Sequence, residues 1–149
     1  MSTERGSAIT IARTQALRSP LPGHEAGLPA DAPWLRARAQ RFARAAGLRF
    51  LLVLDTAQYT RLTGQQIGVE VVGRAYRGPE SARLTVPLLY LQQAALATRT
   101  EADQVLAHEV THLKWPSYGH KVTAFDRAQW LLDQVGASLE ACGPGYAGC

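Results

Sequence analysis

No apolar run in this chain comes near the roughly 18 residues a membrane-spanning helix needs, so no membrane partner is expected. The first twenty residues, MSTERGSAITIARTQALRSP, scatter arginines through the stretch and hold no apolar block. No secretory signal is read there, and the expected compartment is the cytoplasm. Cysteine is limited to Cys142 and Cys149, which excludes a disulfide framework. Their spacing is not that of a zinc ribbon, so they read as free thiols that could oxidise to one another. Lysine is nearly missing, with only Lys114 and Lys121, and histidine occurs four times. Charged residues make up 19% and the net charge is only +4, which excludes a disordered acidic or basic tail.

What is present is 149 residues that are 46% apolar, enough for one domain with a proper core. Arginine supplies nearly all the positive charge. A basic surface of this kind is compatible with a DNA partner, and equally with an arginine-rich coding bias.

Residues 1–30 read as a flexible arm, punctuated by Pro20, Pro22, Gly23, Gly27 and Pro29. Residues 31–141 read as the folded domain, and 142–149 (CGPGYAGC) as a loop-like tail. Asp31 or Ala32 caps a helix with Pro33 in its first turn, and Gly47 ends it. On that helix Trp34, Leu35 and Phe42 are expected to pack, while Arg36, Arg38, Arg41 and Arg44 stay wet. Strands are expected over 48–54, 68–76 and 83–89, the last ending at Pro87 or lying on a sheet edge. Thr100-Glu101-Ala102-Asp103 looks like the capping start of a helix that runs to Lys114 and stops at Pro116. A final helix is expected over 122–139. The fold class is therefore α+β, with a short mixed or antiparallel sheet of about three strands.

The chemistry lies in residues 108–112, His-Glu-Val-Thr-His. Given four histidines and seven glutamates in 149 residues, this HExxH pattern is expected by chance about 0.005 times. The i,i+4 spacing stacks His108 and His112 on one helix face, where both imidazoles can grip one Zn²⁺. Glu109 then points beside the metal, placed to take a proton from water as general base. A catalytic zinc needs a third protein ligand and an open fourth position. His120 is the leading candidate, because Gly119 lets the chain reverse after Pro116. Asp126 and Asp133, seven apart on the last helix, are the rivals and would give a His₂Asp site. The remaining histidine, His24, falls in the arm.

These residues resemble a known family. Gly73-Arg74-Ala75-Tyr76, then Ala82-Arg83-Leu84-Thr85-Val86-Pro87, then the HExxH segment, then Gly119-His120 followed by Phe125, are similar to the SprT-like (Spartan-type) and YgjP-like zinc metalloproteases. The likeness covers about residues 69–130. It implies a minimal zincin-like domain, one zinc per chain on His108, His112 and His120, and Glu109 as catalytic base. It also implies a protein or peptide substrate. Thr85-Val86 stands in place of the family's usual Ser-Pro, and no zinc ribbon follows the last helix. The metzincin pattern is excluded, since Trp115 occupies its glycine position and Tyr118 its third histidine.

The expected mechanism lays a peptide antiparallel to the strand around residues 83–86. Tyr118 or Tyr76 would stabilise the oxyanion. Trp115, Phe125 and Trp130 are expected in the core. The competing expectation is a nucleic-acid-associated module whose zinc is structural, with the first-helix arginines on phosphates.

Overall fold

The computed structural model describes residues 2–3, 8–77 and 86–142. Among the described residues there are six α-helices: α1 (Ala8–Ala16), α2 (Gly23–Ala26), α3 (Ala32–Ala46), α4 (Thr56–Thr63), α5 (Arg99–Lys114) and α6 (Val122–Cys142). Four strands accompany them: β1 (Ser2–Thr3), β2 (Leu51–Val53), β3 (Gly73–Tyr76) and β4 (Leu88–Leu91). The class is α+β. The sheet order is β1-β3-β4-β2, with β2 parallel to β4 and the other two pairs antiparallel.

Helix α3 follows its local signals. The Asp31 carboxylate accepts from the Trp34 amide at 2.9 Å, Pro33 sits in the first turn, and Gly47 closes the helix at φ +62°. Leu35, Ala39, Phe42 and Ala46 form the buried stripe. Arg38, expected in water, lies in that stripe instead. Its Nε and Nη2 donate to Asp103 at 2.7 and 2.8 Å, and both residues are buried. A guanidinium fork matched to a carboxylate is the arrangement that makes burying an arginine tolerable.

Helix α5 begins two residues earlier than expected. Thr98, not Thr100, is the cap, and its hydroxyl accepts from the Glu101 amide at 3.2 Å. Thr100 already lies in the first turn, where its hydroxyl donates to the Ala26 carbonyl at 3.1 Å. Asp103 is therefore free of any capping duty and pairs with Arg38. Helix α5 is wrapped on several sides: it contacts α3, α6, α1 and β3, and ten of its residues are buried.

The strands are shorter than the apolar runs that announced them. Strand β4 starts just after Pro87, whose carbonyl accepts from Leu51 N at 2.9 Å. It is an inner strand buried along its length, not an edge strand ending at the proline. Residues 83–85 of the expected third strand lie outside the described residues. Leu89 and Leu91 join the main core with α3, α5 and α6. Leu88 and Tyr90 join a second cluster with Val53, Tyr59, Val71 and Tyr76, beneath α4. Tyr59 meets Tyr76 and Tyr90 edge-on, at 6.2 and 5.6 Å between centroids.

Residues 8–30, expected as an arm, carry α1 and α2 and are tied to the domain. Gln104 Nε2 donates to the carbonyls of Gln15 and Leu17, both at 3.0 Å. Ser19 donates to Asp103 at 2.7 Å, and Arg99 pairs with Glu25 at 2.9 Å. Gln129 binds the Arg18 backbone through both its carbonyl and its amide. These anchors belong to distant elements, so no local periodicity announces them.

Helix α6 buries Ala124, Phe125, Ala128, Leu131, Leu132 and Val135. Phe125 is thus in the core as expected. Trp115 is partly buried against the core and Trp130 is 39% exposed. Cys142 is the last residue of α6, one residue inside the expected tail, and Cys149 lies outside the described residues. Among the described residues no helix is long and apolar enough to cross a membrane.

Candidate metal centre

His108 and His112 project from one face of α5, and their Nε2 atoms face each other at 3.1 Å. Two nitrogens bound to one tetrahedral zinc, each about 2.0–2.1 Å from it, lie about 3.3 Å apart. The pair therefore already has the spacing of two ligands on a single ion. His120 completes the group. Trp115 ends α5, a single 3-10 turn covers Pro116–Tyr118, and Gly119 takes φ +53° and ψ −129°, a conformation open to glycine. The chain then reverses, and the His120 ring stands 5.3 Å from His108 and 4.8 Å from His112 between centroids. One nitrogen from each of the three histidines lies within 4.8 Å of the others. Among the described residues no fourth His, Cys, Asp or Glu joins this group.

The rivals fall elsewhere. Asp126 and Asp133 are exposed on α6, and Asp133 accepts a hydrogen bond from Gln129 at 3.0 Å. His24 is exposed on α2.

The electrostatics suit a cation. His108 is pushed down from 6.5 to about 3, first by burial and then by the nearby His112 and His120. His112 is pushed down to about 4, by burial and then by His120. Burial also lowers His120. All three rings are therefore neutral at pH 7, with lone pairs available. His120 Nε2 is buried and has no hydrogen-bond partner among the described residues. A buried polar nitrogen left that way costs free energy, and a metal ion would remove the cost.

Thr14 of α1, which no sequence signal singled out, stands beside the Nδ1 of His108. Its hydroxyl donates to the Thr10 carbonyl at 2.9 Å, so its oxygen is left to accept from His108 Nδ1, which stands 3.5 Å away. A ring proton on Nδ1 would satisfy that contact and leave Nε2 bare toward His112. On the other side, Phe125 lies 5.7 Å from the His108 ring.

Glu109 is fully buried and faces β3. A Cβ at Gly73 would stand 3.1 Å from Glu109 Cγ, Glu109 Oε2 and Val105 Cγ1. Gly73 is thus the close-approach point that makes room for this carboxylate. A cleft of about 180 Å³ opens beside it, lined by Ile11, Thr14, Val72, Gly73, His108 and Glu109 among others.

The tyrosines separate. Tyr76 packs in the cluster under α4, across the sheet from Ala75 and the main core, so it does not face the histidines. Tyr118 stacks on Trp115, with centroids 6.1 Å apart and rings 9° from parallel. Comparison of the chain with protein-family models, with curated proteins and with solved structures finds no match.

Proposed function

We propose that this protein is a zinc-dependent metallopeptidase with a zincin-like domain, as its resemblance to the SprT-like proteins implies. The observation that carries the reading is the convergence of three imidazole nitrogens within 4.8 Å beside a fully buried glutamate. His108, His112 and His120 would hold one zinc per chain, and a set of three protein ligands suits a catalytic rather than a closed structural site. Bound there, zinc would lower the pKa of water to about 7 and polarise the substrate carbonyl.

The chain's own groups do the rest. Glu109 takes a proton from the attacking water at its carboxylate and returns it to the departing amine. Gly73 fixes where that carboxylate sits. Thr14 holds His108 in the ligand tautomer. The apolar wall of Ile11, Val72 and Val105 keeps bulk water from the carboxylate.

The test pairs metal analysis with hydrolysis of a protein substrate such as casein. About one zinc per chain is expected. Glu109→Gln should keep the metal and lose hydrolysis, and His120→Ala should lose most of the metal. If Glu109→Gln cleaves casein as fast as the parent, the peptidase reading is wrong even with zinc present.

One observation favours a second reading, a nucleic-acid-associated module. Arg36 and Arg44 of α3, with Arg49, line a shallow groove of about 630 Å³ beside β2. Arg38 is withdrawn from that surface by Asp103. Phosphate binding there would weaken steeply as salt rises. Running the casein digest with and without single-stranded DNA separates a DNA-dependent peptidase from a binding module.

A further inference from the structure

The sheet carries a strand that no sequence signal announced. Ser2 pairs with Arg74 and Thr3 with Gly73, antiparallel, so β1 covers the outer side of β3. Without β1, β3 would be an edge strand, since its other side is taken by β4. Gly73, one of the two β3 residues paired, is the same residue whose missing side chain admits Glu109. Strand β3 packs on α5, where Gly73 stands close to Glu109, the neighbour of His108. The sequence-based expectation put a peptide along residues 83–86, of which 83–85 lie outside the described residues. The described strand that offers such a rail is β3.

The next described element deepens the overlap. Helix α1 lies along the cleft, where Thr10, Ile11, Thr14 and Gln15 line it together with Gly73, His108 and Glu109. Thr14 contacts His108 directly, and Arg13 Nη1 reaches the His120 carbonyl at 3.5 Å. The far end of α1 is fixed by Gln104, so Ser2 and Thr3, tethered to α1 by a short stretch of chain, meet β3 at high effective concentration.

We propose that the outer edge of β3 is the main-chain docking site for an extended peptide, and that the chain's own Ser2–Thr3 segment occupies it in cis. A peptide binds by displacing that segment and taking its ladder with Gly73 and Arg74. The identity of the incoming ligand rests on the peptidase reading; the occupation of β3 does not. Strand addition is read through backbone N–H and C=O groups, so the site recognises extended conformation before side-chain identity. A two-residue ladder is short enough to be displaced.

The test uses the full chain and a fluorescein-labelled heptapeptide with the sequence of residues 1–7, read by fluorescence anisotropy. Three proteins are compared: the parent, Ser2→Ala with Thr3→Ala, and Ser2→Pro with Thr3→Pro. Proline removes backbone donors from the ladder, whereas alanine keeps them. The proline variant should bind the probe about fivefold or more tightly than the parent, because the competing occupant is gone. The alanine variant should match the parent. Equal affinity in parent and proline variant, or an alanine variant that behaves like the proline one, overturns the proposal. A second measurement needs no variant. When the probe is titrated into the parent, the backbone amide resonances of Ser2 and Thr3 should move to unstructured positions. If they stay fixed while the probe binds, the segment is not the competitor. Neither readout requires cleavage, so displacement without hydrolysis would tell against the peptidase and leave this proposal standing.

Discussion

Arg38 and Asp103 bind each other through two parallel hydrogen bonds of 2.7 and 2.8 Å, both side chains buried, and so bolt α3 to α5 five residues before His108. Removing one partner leaves the other as an uncompensated buried charge. Arg38→Met and Asp103→Leu should each destabilise the protein by about 3–5 kcal/mol, while the double replacement recovers most of the loss. Chemical denaturation of the four proteins checks this. Two single-variant losses that simply add in the double variant would mean the pair is not a unit.

Gly73→Ala tests the close approach over Glu109. The new methyl would meet the glutamate at 3.1 Å, so the side chain must shift by a few tenths of an ångström. Hydrolysis should fall by about tenfold, since a misplacement of 1 Å can cost about a hundredfold. Zinc content should stay near that of the parent, because the atoms nearest the new methyl belong to Glu109 and Val105 and not to a histidine. An unchanged rate would place Glu109 outside the chemistry or show that it relaxes freely.

Thr14→Val removes the acceptor beside His108 Nδ1 and keeps the side-chain shape. Outer partners of metal-bound histidines are worth about 10–100-fold in metal affinity. The 3.5 Å contact is long, so a loss of about tenfold is expected, read by competition with a chromogenic chelator. If zinc affinity is unaffected, the tautomer is set by something other than Thr14.

The metal-free protein should lose stability on acidification. His108 and His112 titrate at about 3 and about 4 in the folded state, against an ordinary 6.5. Between 6.5 and those values the unfolded chain binds more protons than the folded one, so stability falls as pH falls. The slope is up to about 1.4 kcal/mol per pH unit for each histidine, and it vanishes above pH 7 as far as these groups are concerned. Melting temperatures of the metal-free protein from pH 7.5 to 4.5 provide the measurement. His108→Phe should flatten the curve; a midpoint constant across the window contradicts the assignment.

Signals that act within a few residues were legible in the sequence. Asp31, Pro33 and Gly47 bracket α3 as expected, and the HExxH spacing put His108 and His112 on one face. His120 could be read too, because Gly119 and Pro116 announce a reversal close by. Helix α4 escaped notice because only Tyr59 is fully buried along it, although Asp55 accepts from the Ala57 and Gln58 amides and Gly64 closes it at φ +73°. Arg38 was misjudged because its partner is 65 residues away. The same holds for residues 8–30, whose order depends on Gln104, Asp103 and Gln129. Gly73 could have been suspected, as a glycine within an alternating strand pattern often marks a close backbone approach.

The three histidines do not share one kind of support. Two ride on a helix clamped from several directions, so their spacing exists before any ion arrives. The third sits on a glycine-hinged corner between α5 and α6, touched from α1 by the long Arg13 contact to its carbonyl. Were an ion bound there as proposed, capture would begin on the fixed pair, and release would depend on how readily the corner at Gly119 opens. Stiffening that corner should therefore lengthen the residence of an ion more than it speeds its arrival.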